Sequence, residues 1–229
     1  MLKLRQNEIF KKIEIVKKSN QTFNPVFKCE DLKHPYCFKG KIPDSREIKK
    51  LFRAETATEA IGSIYPNCSI FGVTKGQFSL IELISVLLDQ TGPAHLIVST
   101  WTAAGADLND AFTLIESGKL LSVRFIVDHT FQRRQPAFAA RIRELFGLDA
   151  IRVTRNHCKF SLIRNDKWNL VLKTSMNFNF NPRLENFDIS DDVALAEFLQ
   201  GIVDEIFNRV KKEAISDPIM VNEKRFESL

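Results

Sequence analysis

Only four cysteines occur in the 229 residues, Cys29, Cys37, Cys68 and Cys158, and they are too scattered to staple a fold. A disulfide scaffold is excluded, and reduced thiols are expected. No two cysteines are spaced C-x2-C, the usual half of a zinc site. The looser set Cys29, His34 and Cys37, with Cys68 as a fourth ligand, could hold zinc, but it is read as chance placement, and no metal or other cofactor is expected. No apolar run approaches the length of a bilayer span. The start, Met1-Leu-Lys-Leu-Arg-Gln-Asn-Glu, lacks the continuous apolar stretch of a secretion leader, so stable membrane insertion is not expected and a cytoplasmic protein is. Internal repeats and low-complexity segments are absent as well.

What is present is a globular composition, 44% hydrophobic and 27% charged, enough for one ordinary domain with additions. The net charge of +5 is unevenly distributed. Residues 1–53 carry 14 basic against 6 acidic side chains, residues 54–118 carry 1 against 7, residues 119–173 carry 12 against 4, and the remainder 6 against 11. Two basic blocks therefore stand out, which suits a polyanionic partner such as DNA or RNA. A solvated basic face is the plainer alternative; the residues next to the second block favour nucleic acid.

Residues 1–55 form a basic accessory segment. Ile9, Phe10, Ile13 and Val16 recur at helical spacing among lysines, and Asn24-Pro, His34-Pro and Ile42-Pro then break the pattern. From about residue 56 to 213 the pattern is that of an α/β domain with a mixed, largely parallel sheet and helices on both faces. Strands are expected at Ser69–Thr74, Ala94–Thr102, Leu120–Asp128 and Ala150–Thr154, and helices at Phe78–Asp89, Asp107–Ser117 and Pro136–Phe146. Strand, helix and strand across residues 94–128 make a right-handed βαβ unit with a parallel pair. Lys159–Ile163 and Trp168–Thr174 read as a hairpin around Arg164-Asn-Asp-Lys. A helix is expected over 191–212, with Asp191 and Asp192 at its start and Arg209, Lys211 and Lys212 at its end, as the helix dipole favours. Residues 214–229 read as a polar, mobile tail.

The stretch with chemical content is Asn156-His-Cys-Lys-Phe-Ser-Leu-Ile, followed by Lys173-Thr-Ser-Met-Asn. On a strand, His157 and Lys159 share one face roughly 6.5–7 Å apart. A histidine can attack phosphorus or donate a proton to a leaving oxygen, while a neighbouring lysine holds the non-bridging oxygens. Ser175 and Asn177 add hydroxyl and amide donors after the strand that pairs with the first, and Glu185 can orient an imidazole. Arg152, Arg155 and Arg183 are candidates for contacts to neighbouring phosphates, or are ordinary solvated arginines. Trp101 and Trp168 read as core or rim aromatics.

His157-Cys-Lys159, Thr174-Ser175-Met-Asn177 and Glu185 together resemble the phospholipase D superfamily, in particular its short nucleases with one motif per chain. The resemblance covers about residues 78–210. The family pattern has Asp five residues after the lysine, where this chain has Arg164 with Asn165 and Asp166 beyond, and Gly before the serine, where this chain has Thr174. The resemblance implies a phospholipase D-like fold and metal-independent phosphodiester hydrolysis, with DNA or RNA as substrate. It also implies a homodimer that brings two copies of His157 and Lys159 around one phosphate. One His157 would form a phosphohistidine; the partner's His157 would protonate the leaving oxygen and then activate water. A phospholipid substrate has only the family name and the basic N-terminal segment in its favour. The competing reading, prompted by Arg164 and Thr174, is a protein of the same fold that binds nucleic acid or a partner protein without turnover.

Overall fold

The computed structural model describes residues 54–103, 105–179 and 182–210. The amphipathic stretch at 9–16, the Cys29–His34–Cys37 set and the tail after 213 lie outside the described residues. Thr56 starts α1 (Ala57–Ile61) by accepting the Glu59 amide on its hydroxyl. After β1 (Ser69–Thr74), Ser79 and Glu82 form a reciprocal capping box that opens α2 (Leu80–Thr91). Leu80, Leu83, Ile84, Leu87 and Leu88 occupy one face of this helix, and none is more than 1% exposed. Burial of five such side chains stabilises the fold by on the order of 10 kcal/mol before chain entropy is subtracted. Gly92 ends the helix at φ +75°, in the left-handed region open to glycine, and turns the chain into β2 (Ala94–Thr100).

The chain continues through α3 (Gly105–Glu116), β3 (Leu120–Asp128), the short α4 (Phe131–Arg134), α5 (Pro136–Phe146) and β4 (Ile151–Thr154). Then come β5 (Phe160–Arg164), β6 (Asn169–Thr174), β7 (Glu185–Asp191) and α6 (Val193–Arg209). The seven strands form one sheet in the order β1-β7-β6-β5-β2-β3-β4. It is mixed, as expected, but its parallel part is confined to β2, β3 and β4, where helical crossovers connect the strands. The other neighbours pair antiparallel: β5 with β6 through a hairpin, β6 with β7 through a short return, and β2 with β5 and β1 with β7 between segments far apart in the chain.

Helices cover both faces. The larger core joins α1, α2, α3 and α5 to one side through Leu96, Val98, Phe125, Val127, Phe178 and Phe187. On the other side Ala196, Val203 and Ile206 of α6 pack on Ile97, Ile126, Leu162 and Val171. Asp192 caps α6 by accepting the Leu195 amide at 2.9 Å, two residues later than the expected start. The sequence reading has no strand between the asparagine-rich segment and this helix, yet β7 fills that interval between β1 and β6. Its signal is the alternation of buried Phe187 and Ile189 with more exposed Asn186, Asp188 and Ser190. Among the described residues no helix is long and apolar enough to cross a membrane.

Candidate active site

Strand register determines what meets at the sheet edge. Ser99 opposes Phe160, Phe160 opposes Lys173, Thr174 opposes Phe187, and Thr74 opposes Glu185. The carboxyl ends of β1, β2 and β6 therefore lie at the same edge as the amino ends of β5 and β7. This is also the carboxyl edge of the parallel strands, where α/β sheets commonly hold ligands. His157, Lys159, Ser175, Asn177 and Glu185 all belong to this edge or to the loops leaving it.

His157 and Lys159 are not on a strand, contrary to the spacing argument. β5 begins at Phe160, and residues 155–159 form an irregular crossing from β4 to β5. The reason is Asn156. Its Oδ1 accepts the Cys158 amide at 3.0 Å, a local bond that competes with strand geometry. Its Nδ2 donates to Ser99 Oγ at 3.0 Å, to the Ile126 carbonyl at 3.2 Å and to the Thr100 carbonyl at 3.4 Å. Ser99 completes the clasp by donating to the Cys158 carbonyl at 2.9 Å. Asn156 is buried, whereas His157 is exposed and Lys159 half-buried. The imidazole packs at 6.0 Å from the Trp101 ring, and among the described residues it has no hydrogen-bond partner.

Beyond β5 the Lys159 carbonyl accepts the Thr174 amide at 3.2 Å, which sets the lysine beside the second half of the motif. The Ser175 amide donates to the Asn186 carbonyl at 3.1 Å, and the Asn186 amide returns a bond to Ser175 Oγ at 2.9 Å. The Ser175 hydroxyl donates to the Glu185 carboxylate. Glu185, expected to orient an imidazole, thus holds the serine. Thr174, in the position expected for glycine, uses its hydroxyl to donate to the Asn186 carbonyl at 2.6 Å and to accept the Met176 amide at 3.0 Å. The loop is then anchored by Phe178, fully buried, whose amide donates to the Thr102 carbonyl at 3.1 Å and to Thr100 Oγ1 at 3.2 Å. Asn177 sits between these anchors, and among the described residues its buried Oδ1 has no hydrogen-bond partner. The exit of β2 therefore touches both halves of the site, with Trp101 against His157 and Thr102 against Phe178.

The expected phosphate arginines separate. Arg152 is a correction: it is 5% exposed, its Nη1 donates to the carbonyls of Leu148, Asp149 and Ile151, and its Nε donates to that of Phe207. Its guanidinium also lies 4.5 Å from the Phe207 ring centroid, so it fastens α6 to β4. Arg155 and Arg183 are exposed. Trp168 packs against the larger core, as expected.

Arg164 and Asp166 lie at the far end of β5, about 16 Å from Lys159 along the strand. Arg164 Nε donates to Asn169 Oδ1 at 2.9 Å and its Nη1 to Gln200 Oε1 at 2.7 Å, tying the hairpin to α6. Asn165 closes the turn through its Oδ1, which accepts the amides of Lys167 and Trp168. Asp166 is exposed at that turn and does not reach the motif edge.

Sequence reasoning missed Asp128, Thr130 and Arg134. Asp128, the last residue of β3, is buried; its Oδ1 accepts the Thr130 amide at 2.9 Å and the Thr130 hydroxyl, and its Oδ2 accepts the Asn156 amide at 3.2 Å and lies 3.2 Å from His129 Nδ1. Burial, the largest single influence on this carboxyl, pushes its pKa up, but the Thr130 and His129 bonds together outweigh it and hold the group below the usual aspartate value. An acidic residue closing an apolar strand was the available signal. Among the described residues no group of three or more His, Cys, Asp or Glu side chains is set to hold a metal ion. Cys68, the suggested fourth zinc ligand, is buried, and that burial raises its thiol pKa.

No protein-family model and no curated protein matches the chain. Solved structures with a similar shape include NucT from Helicobacter pylori, at TM-score 0.48 and 11% identity over 62% of this chain and 98% of that one. They also include the phospholipase D family member Nuc from Salmonella typhimurium, at TM-score 0.43 and 18% identity over 63% and 96%. Polyphosphate kinase from Porphyromonas gingivalis aligns at TM-score 0.46 and 11% identity over 63% of this chain and 26% of that one.

Proposed function

We propose that the protein is a metal-independent phosphodiesterase acting on nucleic acid, with His157 as nucleophile. The observation that supports this reading is the shared sheet edge: His157, Lys159, Ser175, Asn177 and Glu185 all lie at it or in the loops leaving it, while Arg164, the departure from the family pattern, is a strand length away. His157 attacks phosphorus in line with the leaving oxygen, giving a phosphohistidine. Lys159 and the Asn177 amide stabilise the added negative charge, and Ser175, fixed by Glu185 and Asn186, completes the cradle. A second histidine must protonate the leaving oxygen and then take a proton from the attacking water. In a two-fold dimer the partner's His157 does both.

The reading is tested by incubating purified protein with single- and double-stranded DNA and RNA in excess chelator, beside His157→Ala. Cleavage that survives chelation and is lost in the variant supports it. Binding without cleavage by either protein favours the second reading, a binder without turnover. One observation motivates that alternative: no hydrogen bond among the described residues orients the His157 ring. The dimer is tested separately by sedimentation; a strictly monomeric and fully active species contradicts the shared mechanism.

A further inference from the structure

A built feature beside His157 is not used by the proposed chemistry. The Arg134 guanidinium lies over Trp101, with Cζ 3.8 Å from the ring centroid. Two hydrogen bonds fix it there: Nη2 donates to the Trp101 carbonyl at 3.2 Å and Nε to Thr130 Oγ1 at 2.9 Å. Thr130 is itself fastened to the buried Asp128 through both its amide and its hydroxyl. Trp101 in turn packs against the His157 ring at 6.0 Å. Arg134 is exposed and has no carboxylate partner among the described residues.

An exposed arginine ordinarily retains most of its rotamer freedom, which a ligand must overcome on binding. Here stacking and two bonds have already removed much of that freedom. The guanidinium has five N–H donors in one plane, of which two are engaged, so the others are presented from a fixed plane. Preorganised forks of this kind match phosphate oxygens. From these contacts we infer that Arg134, backed by Trp101, binds the phosphate adjacent to the one at His157. This rests on the phosphodiesterase reading and deepens it: the substrate is a chain of phosphodiesters, since a lone phosphodiester, as in a lipid headgroup, leaves this subsite empty.

The test measures binding in a His157→Ala background, where the proposed cleavage is blocked. Fluorescence anisotropy follows a short labelled single-stranded DNA and its RNA counterpart between about 50 and 200 mM salt. Arg134→Gln weakens oligonucleotide binding about tenfold, the worth of one charge-assisted bond. It also flattens the slope of log K against log salt by about 0.7, the value for one lost phosphate on a single strand. Arg134→Lys keeps the slope and loses part of the affinity, because an ammonium cannot form the fork over the indole. With Trp168→Phe added, the remaining Trp101 emission changes on binding. A dinucleoside monophosphate, which has one phosphate, loses less affinity than the oligomer. Equal losses for the two ligands would put Arg134 at the scissile phosphate and overturn the subsite. So would unchanged affinity and slope in a folded Arg134→Gln protein. A parent protein that binds no oligonucleotide overturns both readings; one that cleaves DNA or RNA but ignores Arg134→Gln overturns this one alone.

Discussion

Replacing Asn156 by alanine isolates what holds the His157 loop in place. The side chain is 8% exposed and takes part in four hydrogen bonds, with Ser99, Thr100, Ile126 and Cys158. Truncation does not cost four full bonds. Ser99 keeps its bond to the Cys158 carbonyl, and the Thr100 and Ile126 carbonyls lie where strand pairing continues. The Cys158 amide loses its partner, and so does the coupling between two strand ends and the crossing loop. Such bonds contribute a net of about 0.5–1.5 kcal/mol each, so a total of about 3 kcal/mol is expected. For a chain of this size that lowers Tm by about 6–12 °C. The assay is thermal or urea unfolding of Asn156→Ala, beside His157→Ala as an exposed control expected within about 0.5 kcal/mol of the parent. Asn156→Asp should not rescue stability, because it loses the Nδ2 donors and puts a second carboxylate near Asp128. A Tm change under about 2 °C for Asn156→Ala, with cleavage retained, would refute the view that this residue shapes the site.

Arg164→Asp, which introduces the residue of the pattern that the sequence resembles, removes the bonds to Asn169 and Gln200 and should cost about 1 kcal/mol; cleavage should be essentially unchanged, and a strongly raised or abolished rate would contradict the structural role. Phe178→Ala should cost about 3–5 kcal/mol in urea unfolding and release the Ser175–Asn177 loop, seen as faster amide exchange there; protection like the parent's would argue against the anchor. Asp128 gives a pH prediction with a definite sign. Its folded pKa is lowered, so its stabilisation is present above the unfolded value of about 3.9 and is lost as pH falls through the folded value. The stability gap between parent and Asp128→Asn should therefore be constant near neutrality and narrow below about pH 4; a gap that widens on acidification would contradict the assignment.

Local patterns were legible because each is set within a few residues. The apolar spacing over 78–89 marks α2, and the apolar run Leu120–Asp128 is β3 at the bounds its composition suggests. The Asn165 turn between β5 and β6 follows from its polar residues. β7 was missed because two apolar residues in a polar stretch become a strand only when β1 and β6 flank them. Its pairing with β1 joins segments far apart in sequence, and the short alternation around Phe187 and Ile189 does not by itself report it.

The sequence by itself determined the residue types of the site and their order, since His157, Lys159, Ser175, Asn177 and Glu185 stand in the chain at motif spacing. Tertiary structure decided which of them lie together. Antiparallel pairing of β5 with β6 and of β6 with β7 brings Lys159 beside Thr174 and Glu185 onto Ser175. Burial decided that Arg152 fastens a helix, and the exits of β2 and β3 brought Trp101 and Arg134 together beside His157. The physical reason is that a side chain's chemistry travels with its residue, whereas its partners are fixed by which strands become neighbours and in what register.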